Sequence, residues 1–275
     1  MRGFIAADPW GESPLPYLRD AEWRLVGCRD CGMRFQGRIL DPDWRAICLT
    51  RWMSGDAIAA FEAGHGGSPP AARAGAASAW VGHVLSIEHM TRAGRAGPVR
   101  LLDFGCGSGD FLHHAALFGC VAHGVDASAA RRAIAERTGV AIVPALDALP
   151  TDRSEPYDAV TLFEVLEHLD APLDVLRALR GRVRLGGLLV LETPDAGHVT
   201  AIRTLDDYRA IHPLDHINAF GPATLTAIAE RAGFRRVRRR LAFTSDGIGQ
   251  TLRREARRLR DLLRPPTTRQ YFRAV

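Results

Sequence analysis

The clearest chemical signal in the sequence is a glycine-rich stretch, Val99 to Gly109, which reads Val-Arg-Leu-Leu-Asp-Phe-Gly-Cys-Gly-Ser-Gly. Its apolar beginning is typical of a strand buried on both faces of a parallel sheet. Gly105, Gly107 and Gly109 carry no Cβ, so the backbone can turn tightly there and approach a ligand closely. A helix after this turn would direct its positive end and several amide donors at one point. The pattern predicts a site for an anionic group, although a simple tight turn would use the same residues.

An acid and a helix frame this turn. Asp103 stands two residues before the first glycine, and a helix is expected from Asp110 to Phe118 with Ser108 as its cap. The glycine spacing is G-x-G-x-G, whereas the dinucleotide fingerprint is G-x-G-x-x-G. The stretch resembles the first motif of the class I S-adenosylmethionine-dependent methyltransferases. This resemblance implies that Asp103, Cys106 and the three glycines bind the cofactor S-adenosyl-L-methionine.

A second acid follows the next predicted strand. The run from Val121 to Val125 is expected to form a strand, and Asp126 comes directly after it. An acid about twenty residues beyond a glycine turn can accept hydrogen bonds from both ribose hydroxyl groups. By the same resemblance, Asp126 and the neighbouring Ala127 contact the ribose part of the cofactor.

A third strand is predicted from Val140 to Val143, and the segment after it resembles the adenine contact of the same family. The resemblance implies that Asp147 accepts a hydrogen bond from the adenine amine and that the Ala148 amide meets the ring. The alternative for Asp147 is a solvated acid in a turn.

The fourth predicted strand, Tyr157 to Phe163, leads into Glu-Val-Leu-Glu-His-Leu. This order of strand, acid and histidine also resembles the methyltransferases, in which Phe163 and Glu164 would lie beside the methionine part of the cofactor. Methyl transfer is a direct displacement, but a neutral hydroxyl acceptor must lose its proton, and histidine is the usual base. We expect His168 to be this base because the strand end fixes its position. The alternative is His216.

His216 belongs to a long connection from Thr193 to Asn218. Connections of more than about fifteen residues without regular structure are usually functional lids or disordered segments. The connection is therefore expected to be a lid, and His216 to depend on its ordering.

The elements that must position these residues alternate between strand and helix. A helix capped by Asp170 is expected to run to Gly186, followed by a fifth strand from Leu188 to Glu192. The alternation predicts a doubly wound, mostly parallel, Rossmann-like α/β sheet of about seven strands with a small N-terminal appendage. The expected divisions are 1–75 for the appendage and linker, 76–248 for the cofactor-binding methyltransferase domain, and 249–275 for a basic C-terminal helix and tail.

The appendage contains one motif, Cys28-Arg-Asp-Cys31, which resembles one half of a zinc ribbon. A structural zinc site needs four ligands, typically from two such pairs, and the sequence contains no second C-x-x-C. Cys48 and His65 could complete a site only in an unusual geometry. We therefore expect no bound metal.

Composition limits the classes of partner. The 275 residues carry a formal charge of +5, and all 36 basic residues are arginine. A basic protein suggests nucleic acid, but the abundance of arginine, alanine and glycine points to a compositional bias that weakens this interpretation. The arginine groups 235–240 and 253–264 are either a solvated basic face or a site for an acidic partner.

The N-terminus lacks an apolar signal segment, and no stretch approaches the length of a membrane span, so a cytoplasmic location is expected. The most consistent interpretation is methyl transfer to a small molecule or sugar, with a hydroxyl group as acceptor. The alternatives are a catalytically silent cofactor-binding or scaffold protein and, third, an NAD-dependent oxidoreductase. The sequence does not determine the oligomeric state.

Overall fold

The computed structural model describes residues 1–8, 10–18, 22–52, 60, 64, 70–92, 97–136, 139–149, 156–239 and 267–275. Some residues that the sequence singles out lie outside the described residues. They are the candidate zinc ligand His65, the arginine group 253–264, and Arg240 at the end of the group 235–240.

Helices and strands alternate through most of the described chain. The helices are α1 (Arg2–Ala6), α2 (Pro42–Ile47), α3 (Pro70–Thr91), α4 (Asp110–Leu117), α5 (Ala129–Glu136), α6 (Pro172–Arg180), α7 (Leu205–Ile211) and α8 (Pro222–Arg231). The strands are β1 (Leu25–Gly27), β2 (Arg34–Gln36), β3 (Arg100–Phe104), β4 (Val121–Val125), β5 (Ala141–Val143), β6 (Tyr157–Phe163), β7 (Val183–Glu192), β8 (Asn218–Ala219), β9 (Phe234–Val237) and β10 (Arg269–Ala274).

Seven of these strands form one sheet in the order β5-β4-β3-β6-β7-β10-β9. The strands β5, β4, β3, β6 and β7 are parallel, whereas β10 is antiparallel to both of its neighbours. The predicted mostly parallel sheet of about seven strands is therefore confirmed. In such open sheets, ligands bind at the edge where the carboxyl ends of the parallel strands meet.

Both faces of the sheet are covered. Leu101 of β3 and Ala159 of β6 pack into a core with α3 and α4 on one face. Their neighbours Leu102 and Val160 pack into a second core with α6 and α8 on the other face. Because successive strand residues point to opposite faces, two covered faces require the nearly continuous apolar runs seen in the sequence.

The C-terminal residues contradict part of the predicted division. Arg269–Ala274 form β10 between β7 and β9, instead of belonging to a separate basic tail. Tyr271 and Phe272 are buried on opposite faces of the sheet. Arg269 forms an ion pair with Glu192 of β7. The strand is buried on both faces, but arginines flank it. Composition alone therefore indicates a basic tail.

The N-terminal segment is also joined to the rest of the chain. The strands β1 and β2 form a second, three-stranded sheet with β8, in which Arg34 lies opposite Ala219 and Phe35 opposite Asn218. In addition, α3 begins at Pro70, inside the segment that was expected to be a linker. The predicted boundary at residue 75 therefore does not separate two independent units.

The predicted boundaries of two helices are wrong. Gly109, in the left-handed region at φ +80°, caps α4, and Ser108 does not. The helix α6 follows Ala171 and ends at Arg180, while Asp170 forms an ion pair with Arg45 of α2. The following strand begins at Val183, five residues earlier than expected. Within the described ranges, no helix is both long and apolar enough to cross a membrane.

Candidate functional site

The glycine turn after β3 is held against β4. The amide of Gly105 donates to the carbonyl of Val125 at 2.7 Å, and the amide of Cys106 donates to the same oxygen at 3.1 Å. Gly105 has φ +76°, and a Cβ there would lie 2.4 Å from Cγ2 of Val165. At Gly107, with φ +57°, the nearest atom to such a Cβ is a nitrogen of Arg131 at 3.9 Å. The turn is therefore packed tightly at its first glycine and open at its second.

Asp103 lies at the end of β3 and is only 3% exposed. The hydroxyl of Thr161 on β6 donates a hydrogen bond of 2.6 Å to its Oδ1. Burial raises the pKa of Asp103 to about 7, against the opposite effect of this hydrogen bond. This carboxyl group is poised between its charged and neutral forms near neutral pH.

Asp126 connects the glycine turn to the chain after β4. Its Oδ2 accepts a hydrogen bond from the Gly107 amide at 2.8 Å, and its Oδ1 accepts one from the Ser128 amide at 2.8 Å. A carboxylate oxygen has two lone pairs, so each oxygen can accept a further donor. The carboxylate is thus held in place by the backbone and can still bind a diol.

The other residues that are predicted to contact the cofactor lie after β5 and after β6. Asp147 and Ala148 are exposed on a short 3-10 helix after β5. Glu164 follows β6 with φ +55°, and its amide donates to the carbonyl of Glu192 at 2.9 Å. Burial, together with the charge of Glu192, raises the pKa of Glu164. A non-glycine residue in this region of φ is uncommon and often marks a functional site.

The last residue of β6, Phe163, belongs to an aromatic cluster at the carboxyl edge of the sheet. Its ring centroid lies 5.1 Å from Trp80, 4.9 Å from His83 and 5.0 Å from Phe111. The Nδ1 atom of His83 is 2.8 Å from the hydroxyl of Tyr271. Burial lowers the pKa of His83 to about 3, so this imidazole is neutral near pH 7.

His168 and His216, the two candidate bases, lie together. Their ring centroids are 4.8 Å apart with an interplanar angle of 84°. Nδ1 of His168 lies 3.1 Å from Oδ1 of Asp215, a carboxylate that can only accept when ionised. Burial alone would lower the pKa of His168, but the hydrogen bond and charge of Asp215 outweigh it and raise the pKa. The same hydrogen bond outweighs the burial of Asp215 and lowers its pKa to about 2.

His216 has the opposite electrostatic environment. Burial, with added repulsion from His168 and His212, lowers its pKa to about 3. Its Nδ1 atom lies 3.3 Å from the carbonyl of Ala210. Because a carbonyl oxygen can only accept, Nδ1 carries the proton and Nε2 carries the lone pair.

The segment that contains His216 is held in place by hydrogen bonds, and its role as a lid stays a prediction. The amide of Ile217 donates to the carbonyl of Glu167 at 2.6 Å. The side-chain amide of Asn218 donates to the carbonyls of Leu166 and Leu169 at 3.2 and 2.7 Å. The connection also contains α7 and leads into β8, and the hydrogen bonds of Ile217 and Asn218 hold it against the short 3-10 helix after β6.

The N-terminal segment packs against His212, whose ring centroid lies 5.4 Å from that of His216. A carboxylate oxygen of Asp8 lies 3.1 Å from Nε2 of His212 and also accepts a hydrogen bond from Tyr208. The ring of Trp10 lies 6.0 Å from that of His212. Cys48 is buried, with its Sγ 3.8 Å from the carbonyl of Leu214, and burial raises the pKa of its thiol to about 12.

Glu167 is the functional candidate that sequence reasoning missed. The residue is 1% exposed, and both carboxylate oxygens lack a hydrogen-bond partner among the described residues. Oε1 lies 3.9 Å from Nε2 of His168, too far for a hydrogen bond. Burial raises the pKa of Glu167 to about 8. The sequence places this acid next to His168 but does not show that it is buried.

Comparison with known proteins decides the family. Residues 74–238, well over half of the chain, match the family model described as "Methyltransferase domain". The chain belongs to this methyltransferase family. Among solved structures, the CcbJ methyltransferase from Streptomyces caelestis superposes with a TM-score of 0.50 over 76% of this chain and 92% of that one. At 17% identity, that likeness supports the fold alone.

The methyltransferase is also similar to curated proteins over part of its length. A ubiquinone biosynthesis O-methyltransferase of Pseudomonas savastanoi pv. phaseolicola is 36% identical over 110 residues, which are 37% of this chain and 47% of that protein. The protein of the same description from Shewanella sp. is 30% identical over 113 residues. The chain thus spans about half the length of these relatives.

The cysteine motif of the methyltransferase lies away from Cys48. Cys28 and Cys31 occupy the turn between β1 and β2, where the Cys28 amide donates to the Met33 carbonyl at 2.7 Å. Gly32 completes this turn at φ +71°. Cys48 is instead buried beside Leu214. Whether the thiol pair binds zinc stays a prediction.

Proposed function

We propose that this protein transfers a methyl group from S-adenosyl-L-methionine to a hydroxyl group of a small molecule or sugar. Membership of the methyltransferase family supports the reaction class. The pair of His168 and Asp215 beside the carboxyl edge of the sheet is the observation that carries the choice of a hydroxyl acceptor. Relatives described as O-methyltransferases are consistent with that choice.

The carboxyl edge of the sheet fits the cofactor. The glycine turn presents backbone without a Cβ at Gly107, and Asp126 retains free lone pairs for a ribose diol. We assign cofactor binding to the following residues along this edge: Asp103, Gly105, Cys106, Gly107, Gly109, Asp126, Ala127, Asp147, Ala148, Phe163 and Glu164. When bound, the cofactor supplies an electrophilic methyl group on a sulfonium that leaves as a neutral thioether.

Of the two neighbouring histidines, His168 removes the proton from the hydroxyl acceptor. Asp215 accepts from Nδ1 of His168, so the lone pair of His168 lies on Nε2. As the new O–CH₃ bond forms, Nε2 takes the hydroxyl proton and Asp215 stabilises the resulting imidazolium, while the methyl–sulfur bond breaks. His216 keeps a low pKa and is the weaker base.

Two measurements test this proposal. Calorimetric titration of the full chain with S-adenosylmethionine, S-adenosylhomocysteine and NAD should show binding of the first two ligands only. Release of S-adenosylhomocysteine should then be followed with phenolic and sugar acceptors for His168→Gln, His216→Gln and the matched control His114→Gln. We expect His168→Gln to lower turnover by roughly 10²- to 10⁴-fold with unchanged cofactor affinity. Full turnover in both His168→Gln and His216→Gln would show that no histidine removes the proton.

A further inference from the structure

We propose that Glu167, His168 and His216 form a binding site for one divalent first-row transition metal ion. Each residue offers one ligand atom, and the three atoms lie within 4.8 Å of one another. Two of these residues are also the candidate bases, so for catalysis the proposal builds on the proposed function. Metal binding itself does not depend on that function.

The first argument is the orientation of the imidazoles. Nδ1 of His168 faces the carboxylate of Asp215, and Nδ1 of His216 faces the carbonyl of Ala210. Both partners accept, so both histidines carry a proton on Nδ1 and a lone pair on Nε2. Metal-binding histidines almost always donate the other ring N–H to a carboxylate or a backbone carbonyl, which fixes the tautomer and raises the basicity of the ligand nitrogen.

The second argument is the carboxylate of Glu167. A buried carboxylate without hydrogen bonds is costly, and native proteins pair such groups or use them to coordinate a metal. Both oxygens of Glu167 lack a hydrogen-bond partner among the described residues, and the residue is only 1% exposed. The backbone carbonyl of Glu167, in contrast, accepts a hydrogen bond from the Ile217 amide. The neighbouring acid Glu164 also repels the charged form of Glu167, and a bound cation would offset both this repulsion and the burial.

The third argument is distance. Two ligand atoms that each lie about 2.1 Å from one ion are separated by about 3.4 Å in a tetrahedral site and about 4.2 Å when they are opposite each other. Nε2 of His168 and Oε1 of Glu167 are 3.9 Å apart, which falls between these values. The widest separation, at most 4.8 Å, needs to close by only about 1 Å, which rotation of one side chain supplies.

The donor set selects the metal. Two imidazoles and one carboxylate suit Zn²⁺ and its first-row neighbours, whereas Mg²⁺ and Ca²⁺ prefer oxygen ligands throughout. Three protein ligands leave at least one coordination position for water or a substrate hydroxyl. In the metal-bound protein, Nε2 of His168 is a ligand and cannot act as the base. A bound ion would lower the pKa of a coordinated hydroxyl, so that its proton could pass to water without His168 as the base.

The test uses the full chain in a Cys28→Ser/Cys31→Ser background, because the thiol pair could also bind Zn²⁺. Chelator-treated protein is titrated calorimetrically with Zn²⁺, and Co²⁺ binding is followed by its visible absorption. We expect one ion per chain, with much weaker binding of Mg²⁺. Glu167→Gln should lose stoichiometric binding, and it should fold because its carboxylate has no partner to lose. Asp215→Asn should weaken binding by roughly 10- to 100-fold, and His114→Gln should not change it.

The outcomes separate this proposal from the proposed function. Cofactor binding and turnover that survive chelation, without stoichiometric Zn²⁺ binding, would overturn the metal site and leave the methyltransferase proposal intact. Stoichiometric binding that is unchanged in folded Glu167→Gln would also overturn it. Metal binding that disappears in Glu167→Gln supports it even if S-adenosylmethionine does not bind. Turnover that falls on chelation and returns with Zn²⁺ or Mn²⁺ supports the metal site and methyl transfer, and it replaces His168 as the base by the metal-bound hydroxyl.

Discussion

At the scale of single residues, environment matters more than residue type. His168 and His216 are in ring contact, yet their pKa values shift in opposite directions. Asp215 compensates the burial of His168, whereas His216 faces only a carbonyl at Nδ1. The sequence identifies both histidines as candidates, but their partners come from contacts that no local pattern records.

Asp126 is the residue whose role can be tested most directly. Its carboxylate holds the Gly107 and Ser128 amides, and we assign it to the ribose hydroxyls. Loss of one partner in a buried polar contact costs about 1 to 3 kcal/mol. Asp126→Ala should therefore weaken S-adenosylhomocysteine binding roughly tenfold or more in a calorimetric titration. The exposed Asp174→Ala on α6 is the control, and equal affinities in the two variants would contradict the assignment.

At the scale of elements, the sequence predicts what local patterns control. The strands β4 and β6 have their predicted bounds because each is a largely apolar run that ends directly before an acid, Asp126 after β4 and Glu164 after β6. The connection before Asn218 contains α7, which starts at a Thr204–Asp207 capping box, a local pattern from which this helix can be predicted. The two-residue strand β8 depends on β2, which is far away in the sequence. Such pairings cannot be derived from periodicity.

The glycine turn gives the second prediction. Gly105 and Gly119 have nearly equal φ values of +76° and +78°, so alanine pays a similar backbone cost of about 1 to 2 kcal/mol at each. A Cβ at Gly105 would also lie 2.4 Å from Val165, whereas nothing lies within 4 Å at Gly119. Urea unfolding should show Gly105→Ala to be less stable than Gly119→Ala by about 1 to 3 kcal/mol. Equal unfolding free energies would mean that Val165 moves away at no cost.

At the scale of the whole molecule, the two ends of the chain complete structures that begin elsewhere. The N-terminal segment contributes β1 and β2 to the sheet with β8, and Asp8 reaches His212. The C-terminal β10 separates β7 from β9. The predicted division into appendage, domain and tail rests on composition, and composition does not determine which strands pair.

The C-terminal strand supplies the last prediction. If residues 249–275 formed a separate tail, replacing Phe272 by alanine would change the free energy of unfolding little. Phe272 is instead fully buried in the core that contains α6 and α8, opposite Leu189 of β7. Phe272→Ala should lower the free energy of unfolding by about 3 to 5 kcal/mol because it removes buried apolar surface and leaves a cavity. Val275→Ala, at a residue 55% exposed, should change it by less than about 0.5 kcal/mol. Equal urea midpoints for the two variants would show that these residues form a detachable tail. A large difference between the midpoints would show that the last strand is part of the methyltransferase core.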